Sequence, residues 1–184
     1  MRFQPTALAG AVVVELDVIA DDRGGFARAF CEDDFAEAGL PTHFPQTNLS
    51  YNTSAGTLRG LHFNAPPHGE GKFVRAVRGG IRDVIVDVRT DSPTRFEWIA
   101  VELTAENGRA LYIPPGFAHG FITLADQTDV HYHMTSTYVP EAGRTVRWDD
   151  SAFGIDWGRA PTVMSAKDRD CPSIDASTFE LETY

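Results

Sequence analysis

Cysteine is scarce, with Cys31 and Cys171 the only two in 184 residues. Two cysteines in a chain this long are not a disulfide framework, and without a Cys-x-x-Cys pair they suggest no zinc site. A reducing, cytoplasmic setting is the expectation. Long apolar runs are missing as well. The stretch "ALAGAVVVEL" near the N-terminus is preceded by a single positive charge, Arg2, and breaks at Glu15 and Asp17. It reads as a first β-strand rather than a secretion signal. No run approaches the ~20 apolar residues needed to span a bilayer. Basic charge is the third shortage: 16 Lys and Arg against 26 Asp and Glu give a formal net charge of -10. That argues against nucleic acid or an anionic membrane as partner, since both are bound by neutralising phosphates. An anionic small ligand stays open, because a pocket can be basic on an acidic protein.

Apolar residues make up 42% and charged residues 23%, the balance of a globular chain. The length fits one domain, residues 1–184. Turn signals are frequent and the segments between them short. "DDRGG" (Asp21 to Gly25) is a turn, and "EDDFAEAGLP" (Glu32 to Pro41) is the one clear helix, acidic at its start, with Gly39 suited to its C-terminal cap. "FVRAVRGGIRDVIVDVR" predicts two strands joined by a tight hairpin at Gly79-Gly80, and "ENG" predicts another between "RFEWIAVEL" and "RALYI". "FITL" and "DVHYHMTSTY" add strands. Many short strands with turns every 8–12 residues point to a β-sandwich or closed barrel. After Pro161 the pattern weakens, and the tail is expected to wrap the barrel as loop and short helix.

Alternation sorts the polar residues. Successive strand residues face opposite sides of a sheet, so Leu61 and Phe63 oppose His62, Phe73 opposes Lys72, and His131 and His133 oppose Tyr132. His62, Lys72 and Tyr132 can therefore share one barrel interior. His62, in "GTLRGLHFN", has three possible roles: metal ligand, general base, or core histidine with its hydrogen bonds satisfied. "GRALYIPPGFAHGFIT" has cupin spacing: Gly108, Pro114, Gly116, His119. Metal-binding cupins supply an earlier His-x-His. Here that stretch is His62-Phe63-Asn64, and Thr123 stands where the later motif commonly has Asn. Two imidazoles and the distant Glu70, read as a loop residue like His68, make a poor ligand set. No metal is expected, and a base or a core histidine remains.

Taken in order from about Asp21 to Asp168, "DDRGGFARAF", "FPQTNLS", "GTLRGLHF", "KFVRAVRGGIRDVIVDVR", "SPT", "IPPGFAHGF", "YVPE" and "RWDD" resemble the dTDP-4-dehydrorhamnose 3,5-epimerases. "RGLH" followed by "GFAHGF" at this spacing is the specific part. The resemblance implies an all-β fold, the double-stranded β-helix of a cupin jelly-roll barrel with a few short peripheral helices. It implies a homodimer that needs no cofactor and epimerises a 4-keto-6-deoxy sugar carried on dTDP.

The chemistry suits the residue types. A ketone at C4 acidifies the protons at C3 and C5, so inversion needs a base on one face, an acid on the other, and a group that holds the enolate oxygen. The resemblance makes His62 the base, oriented by Asp168 of "SAKD". It makes Tyr132 the acid and places Lys72 at the C4 oxygen. By the same carry-over, Arg59, His119 and Arg23 grip the diphosphate, with Gln46 and Asn48 nearby. Tyr138 and Phe26 stack on or border the thymine, and Arg28 and Lys167 complete the substrate-binding set. Family dimers exchange an N-terminal segment, so Arg23 and Phe26 are candidates for the neighbouring subunit's site. Arg28 and Gly143 stand where many members carry Glu, at positions that help to place the nucleotide. Relatives with the same apparatus invert only C3 or only C5. A cupin 3,4-ketoisomerase and a non-catalytic nucleotide-sugar-binding cupin are the readings from other classes. A full set of His62, Lys72, Tyr132 and Asp168 argues against the last, since binding alone needs neither acid nor base.

Overall fold

The computed structural model describes residues 1–181. Among the described residues there are fourteen strands, beginning with β1 (Arg2–Pro5), β2 (Val12–Glu15), the short hairpin β3 (Ile19–Asp21) and β4 (Gly24–Phe26), then β5 (Gln46–Asn52), β6 (Thr57–Asn64) and β7 (Lys72–Arg78). They continue as β8 (Gly80–Asp87), β9 (Trp98–Thr104), β10 (Arg109–Ile113), β11 (Phe117–Thr123), β12 (Thr128–Met134), β13 (Gly143–Thr145) and β14 (Val163–Met164). Two α-helices accompany them, α1 (Glu32–Glu37) and α2 (Ala166–Arg169), with a 3₁₀ turn at Pro140–Ala142. One sheet runs β1-β2-β10-β7-β12-β5. The other runs β13-β6-β11-β8-β9, with β14 alongside β6. Their inner faces meet in one core: Val74, Leu111 and Val130 from the first sheet pack with Ile81, Ile85, Leu103, Phe117 and Phe121 from the second. This is the cupin jelly roll expected from the sequence.

Three sequence readings are corrected. Neither expected hairpin forms. β7 pairs with β10 and β12 while β8 pairs with β9 and β11, so at Gly79 (φ 64°) the chain turns from one sheet into the other. The "ENG" turn does the same between β9 and β10. A glycine turn reverses the chain equally well in either case, and burial of apolar faces on both sheets decides which partner the next strand meets. The N-terminal apolar run contributes β2, and β1 precedes it. The helix follows the expectation: it ends at Glu37, with Pro41 outside it. The backbone N–H groups of Ala38 and Gly39 close its last turn, and Gly39 adopts φ 71° just beyond.

Outside the barrel, the helix packs Phe35 against Phe3, Phe30 and Phe73 on the outer face of the first sheet. The tail closes the outer face of the second: Phe153 and Trp157 are buried with Leu58, Leu61 and Val84, and Ile174, Phe179 and Leu181 pack on the same cluster. The "SPT" stretch has a structural role. Asp87, wholly buried, accepts from Arg89 Nη2 (2.7 Å), Ser92 Oγ (2.5 Å) and Thr94 Oγ1 (2.7 Å). Burial alone would raise its carboxyl, but these donors hold it below the ordinary carboxylate range.

A bulge in β6 positions the site. His119 pairs with His62, yet Phe121 pairs with Arg59, so Gly60 and Leu61 together oppose Gly120. Gly60 takes φ 128°. A Cβ on Gly120 would lie 2.7 Å from the Arg59 carbonyl oxygen and 3.1 Å from Gly60 Cα, both rigid backbone. Leu58 and Leu61, three apart, consequently share the outer cluster, while Arg59 and His62 both face inward. Gly120→Ala is expected to destabilise the protein by about 1–3 kcal/mol, the usual cost of overpacking. Thermal unfolding measures it, and an unchanged midpoint would contradict the tight crossing.

Candidate active site

Between the sheets lies a cavity of about 570 Å³, the size of a small-ligand site. Arg59 and His62 on β6 and His119 on β11 enter it from one sheet. Lys72 on β7 and Tyr132 on β12 enter from the other. Lys167 and Asp168 close it from α2. The chain has only two lysines, and both line this cavity. It is a local basic pocket on an acidic protein.

Asp168 reaches His62 because its helix is pinned: the Ser165 hydroxyl accepts from the Asp168 backbone N–H at 3.1 Å, as an N-cap does. His62 Nε2 lies 2.7 Å from Asp168 Oδ1. Burial would raise the Asp168 carboxyl, but hydrogen bonds from His62, from the Ser165 hydroxyl and from the Gly60 backbone outweigh it and hold the group below the usual range. A carboxylate can only accept, so Nε2 carries a proton, and in the neutral ring Nδ1 then keeps its lone pair. The His62 side chain is 40% exposed, against 5% for its partner. The dyad is anchored at one end and open at the other.

On the facing wall, Lys72 is buried. Its Nζ is 3.6 Å from Glu70 Oε1 and donates to the His62 carbonyl at 3.4 Å. Desolvation pushes its ammonium below the ordinary lysine range, opposed by the charges of Glu70 and Asp83. Tyr132 is shifted upward, chiefly by burial, with Glu70 adding to the rise and Arg59 opposing it. It therefore stays a neutral phenol, able to donate a proton. Arg59 is held by Asn52 Oδ1 (2.8 Å) and the Tyr51 carbonyl (3.3 Å).

The other expected residues divide. Asn48 lies opposite Tyr132 in the β5–β12 ladder, and Gln46 Nε2 donates to it at 3.1 Å. Gln46 Oε1 accepts from the Tyr138 backbone N–H at 2.9 Å, so the three form a chain beside the cavity without lining it. Arg23, Phe26 and Arg28 stand away from it. Arg23 pairs with Asp21 in the β3–β4 turn, Phe26 is 72% exposed, and the Arg28 guanidinium meets Cys31 Sγ. His131 and His133 face outward as expected: His133 stacks on Phe73 and its ring bonds Thr47 Oγ1 at 2.9 Å.

Two residues escaped the sequence reading. Asp83 is wholly buried 2.7 Å from His119 Nε2, a second His–Asp pair. Its Oδ2 has no hydrogen-bond partner among the described residues. The available signal was an acidic residue on the inward face of β8, between Ile81 and Ile85. Glu70 is indeed in a loop, but its carboxylate is buried beside Lys72, and Asn64 Nδ2 donates to it at 3.4 Å. No sequence periodicity marks it. Among the described residues no three His, Cys, Asp or Glu side chains converge as a metal-ligand set.

The dTDP-4-dehydrorhamnose 3,5-epimerase family model matches residues 5–176. The chain belongs to that family. A dTDP-4-dehydrorhamnose 3,5-epimerase of Sinorhizobium fredii is 42% identical over 175 residues, covering 95% of this chain and 90% of its own length. The Bacillus anthracis enzyme of that name, crystallised with TDP and PPi bound, superposes with a TM-score of 0.91 at 38% identity, over 94% of this chain and 99% of its own. The dTDP-6-deoxy-D-glucose-3,5-epimerase of Legionella pneumophila, in complex with dTDP-4-keto-L-rhamnose, superposes with a TM-score of 0.90 at 34% identity, over 100% and 99% of the two chains.

Proposed function

We propose that this protein is an isomerase that epimerises a dTDP-4-keto-6-deoxyhexose at C3 and C5 through an enolate, within one epimerase domain. One observation carries the reading: an anchored His–Asp dyad on one wall of the cavity opposes a phenol and a lysine on the other. Inverting a carbon requires proton removal from one face and return to the opposite face, and groups on a single wall could not do both. His62 Nδ1 takes the proton at C3 or C5. Asp168 keeps the ring in its productive tautomer and stabilises the imidazolium that forms. Lys72 donates to the C4 oxygen as negative charge develops there. Such a charge-stabilising donor is worth ~10²–10³ in rate. Tyr132 returns a proton from the other wall.

Arg59 and His119 hold the diphosphate, with Lys167 at the same cavity. Gln46, Asn48 and Tyr138 border the nucleotide side. Arg23, Phe26 and Arg28 serve the site of a second copy in a homodimer, which suits their distance from the cavity of their own chain. Leu49 and Tyr51 on β5, 51% and 68% exposed, support an apolar contact between copies. Among the described residues no helix is long and apolar enough to cross a membrane. Two unpaired cysteines suit a reducing cytoplasm.

Incubation with dTDP-4-keto-6-deoxyglucose in heavy water, followed by NMR of the sugar ring, tests the reading. Deuterium with inverted configuration at C3 and C5 is expected, undiminished by a chelator, because the dyad and Lys72 supply base and electrophile. A ketone moved to C3 would indicate a ketoisomerase, an unaltered sugar a binding protein, and a rate that collapses on chelation a metal-dependent reaction.

A further inference from the structure

The lysine at the reaction centre poses an electrostatic problem. Lys72 can stabilise an enolate only as an ammonium, yet burial favours its neutral form. Two carboxylates bear on it. Asp83 is engaged through Oδ1 with His119 at 2.7 Å, and its charge bears less on Lys72 than that of Glu70. Glu70 is 9% exposed and 3.6 Å from Lys72 Nζ, and its other oxygen is fixed by Asn64. Glu70 is not among the residues that line the cavity.

We infer that Glu70 is a positioning residue for this reaction: its buried carboxylate holds the Lys72 side chain in place and in its charged form against the ketone oxygen. This rests on the enolate reading of Lys72 given above. The surrounding groups leave that task to Glu70. His62 on β6 is bound to Asp168 and offers Lys72 only its carbonyl oxygen, Arg59 is bound to Asn52, and the ring of His119 on β11 is bound to Asp83. Lys167 on α2 also lines the cavity and is of like charge to Lys72. Tyr132 on β12 feels the same carboxylate, which raises its phenol further. One buried negative charge thus favours the protonated forms of both proton-bearing groups on that wall.

The signs agree for the two groups. Removing the Glu70 charge lowers the titration point of Lys72 and of Tyr132 alike, so activity must fail at lower pH. In Glu70→Gln, which keeps the shape, the alkaline limb of kcat against pH is expected to move down by about one pH unit, the low end of what an opposite charge this close contributes. KM for the nucleotide sugar should change little, since Glu70 does not line the cavity. Glu70→Asp, with the charge kept and the reach shortened, should lie between. A second readout does not depend on turnover. With only two lysines in the chain, competitive acetylation across a pH series, read by peptide mass, gives the titration of Lys72 directly, with Lys167 as internal control. The Lys72 curve should shift by the same interval in Glu70→Gln while that of Lys167 stays put. An unmoved Lys72 curve in both variants overturns the inference, as does a moved curve with an unmoved kcat limb. Absence of epimerisation by the unaltered protein would instead sink the enolate reading, and the acetylation curves keep that failure distinct.

Discussion

His62→Ala should abolish epimerisation while the protein still folds, and Asp168→Asn should slow it by about 10²–10⁴-fold. The first expectation follows from the direction of the dyad. His62 Nε2 is committed to Asp168 at 2.7 Å, and the only basic nitrogen left on that ring is Nδ1. Nothing else on that wall of the cavity is open enough to replace it: Arg59 does not give up a proton at neutral pH, and the His119 side chain is buried, 9% exposed against 40% for His62. Folding survives because His62 is half-open to the cavity, and Asp168 keeps the Ser165 hydroxyl and the Gly60 N–H as donors. The loss is one hydrogen bond, about 1–3 kcal/mol if the carboxylate is left short of a donor. The second expectation follows from tautomer control. An Asn at position 168 can present its N–H to the imidazole, which moves the ring proton to Nδ1 and blocks the base. Deuterium exchange at C3 and C5 should fall together with turnover, while thermal unfolding stays cooperative, its midpoint lowered by about 2–4 °C for each kcal/mol lost. Turnover near normal in both variants would remove His62 and Asp168 from the mechanism.

Tyr132→Phe should separate exchange from inversion. The variant keeps His62, Asp168 and Lys72, so the enolate still forms and its oxygen is still held. The proton then returns from the same wall, from the imidazolium, or slowly from water. Ring carbons should take up deuterium with configuration retained, and inversion should be lost, most severely at C5. As the proposed acid, the phenol is expected to contribute about 10²–10⁴-fold in the inverting step. NMR of the sugar after incubation in heavy water reads label and configuration on the same molecule. Equal loss of both would mean that Tyr132 also helps to form the enolate, and normal inversion at C5 would assign the acid to another group.

Much of this site was legible as a pattern with a period of two. Alternation along β6, β7 and β12 placed His62, Lys72 and Tyr132 on inward faces and turned His131 and His133 outward, because apolar neighbours on the opposite face fix which side of each strand is buried. Strand period and turn residues are local quantities, and they led to a β-sandwich or closed barrel, while the charge balance left an anionic small ligand open. The motif pairing "RGLH" with "GFAHGF" led to the family.

What alternation could not reach was decided by contacts between distant segments. Strict alternation sends Arg59 and His62 to opposite faces, and the Gly60–Gly120 crossing, visible only when β6 lies against β11, brings both inward. Glycine turns at Gly79 and before β10 looked like hairpins, but the strands they join belong to different sheets. Asp168 lies 106 residues from the histidine it orients, in a tail without periodicity, and only the packing of that tail on the second sheet delivers it. Asp83 and Glu70 gain their meaning from the imidazole and ammonium they are buried beside. The physical reason is the same in each case. A side chain's face is set by its own strand, but its partner and its charge state are set by which other segments exclude water around it.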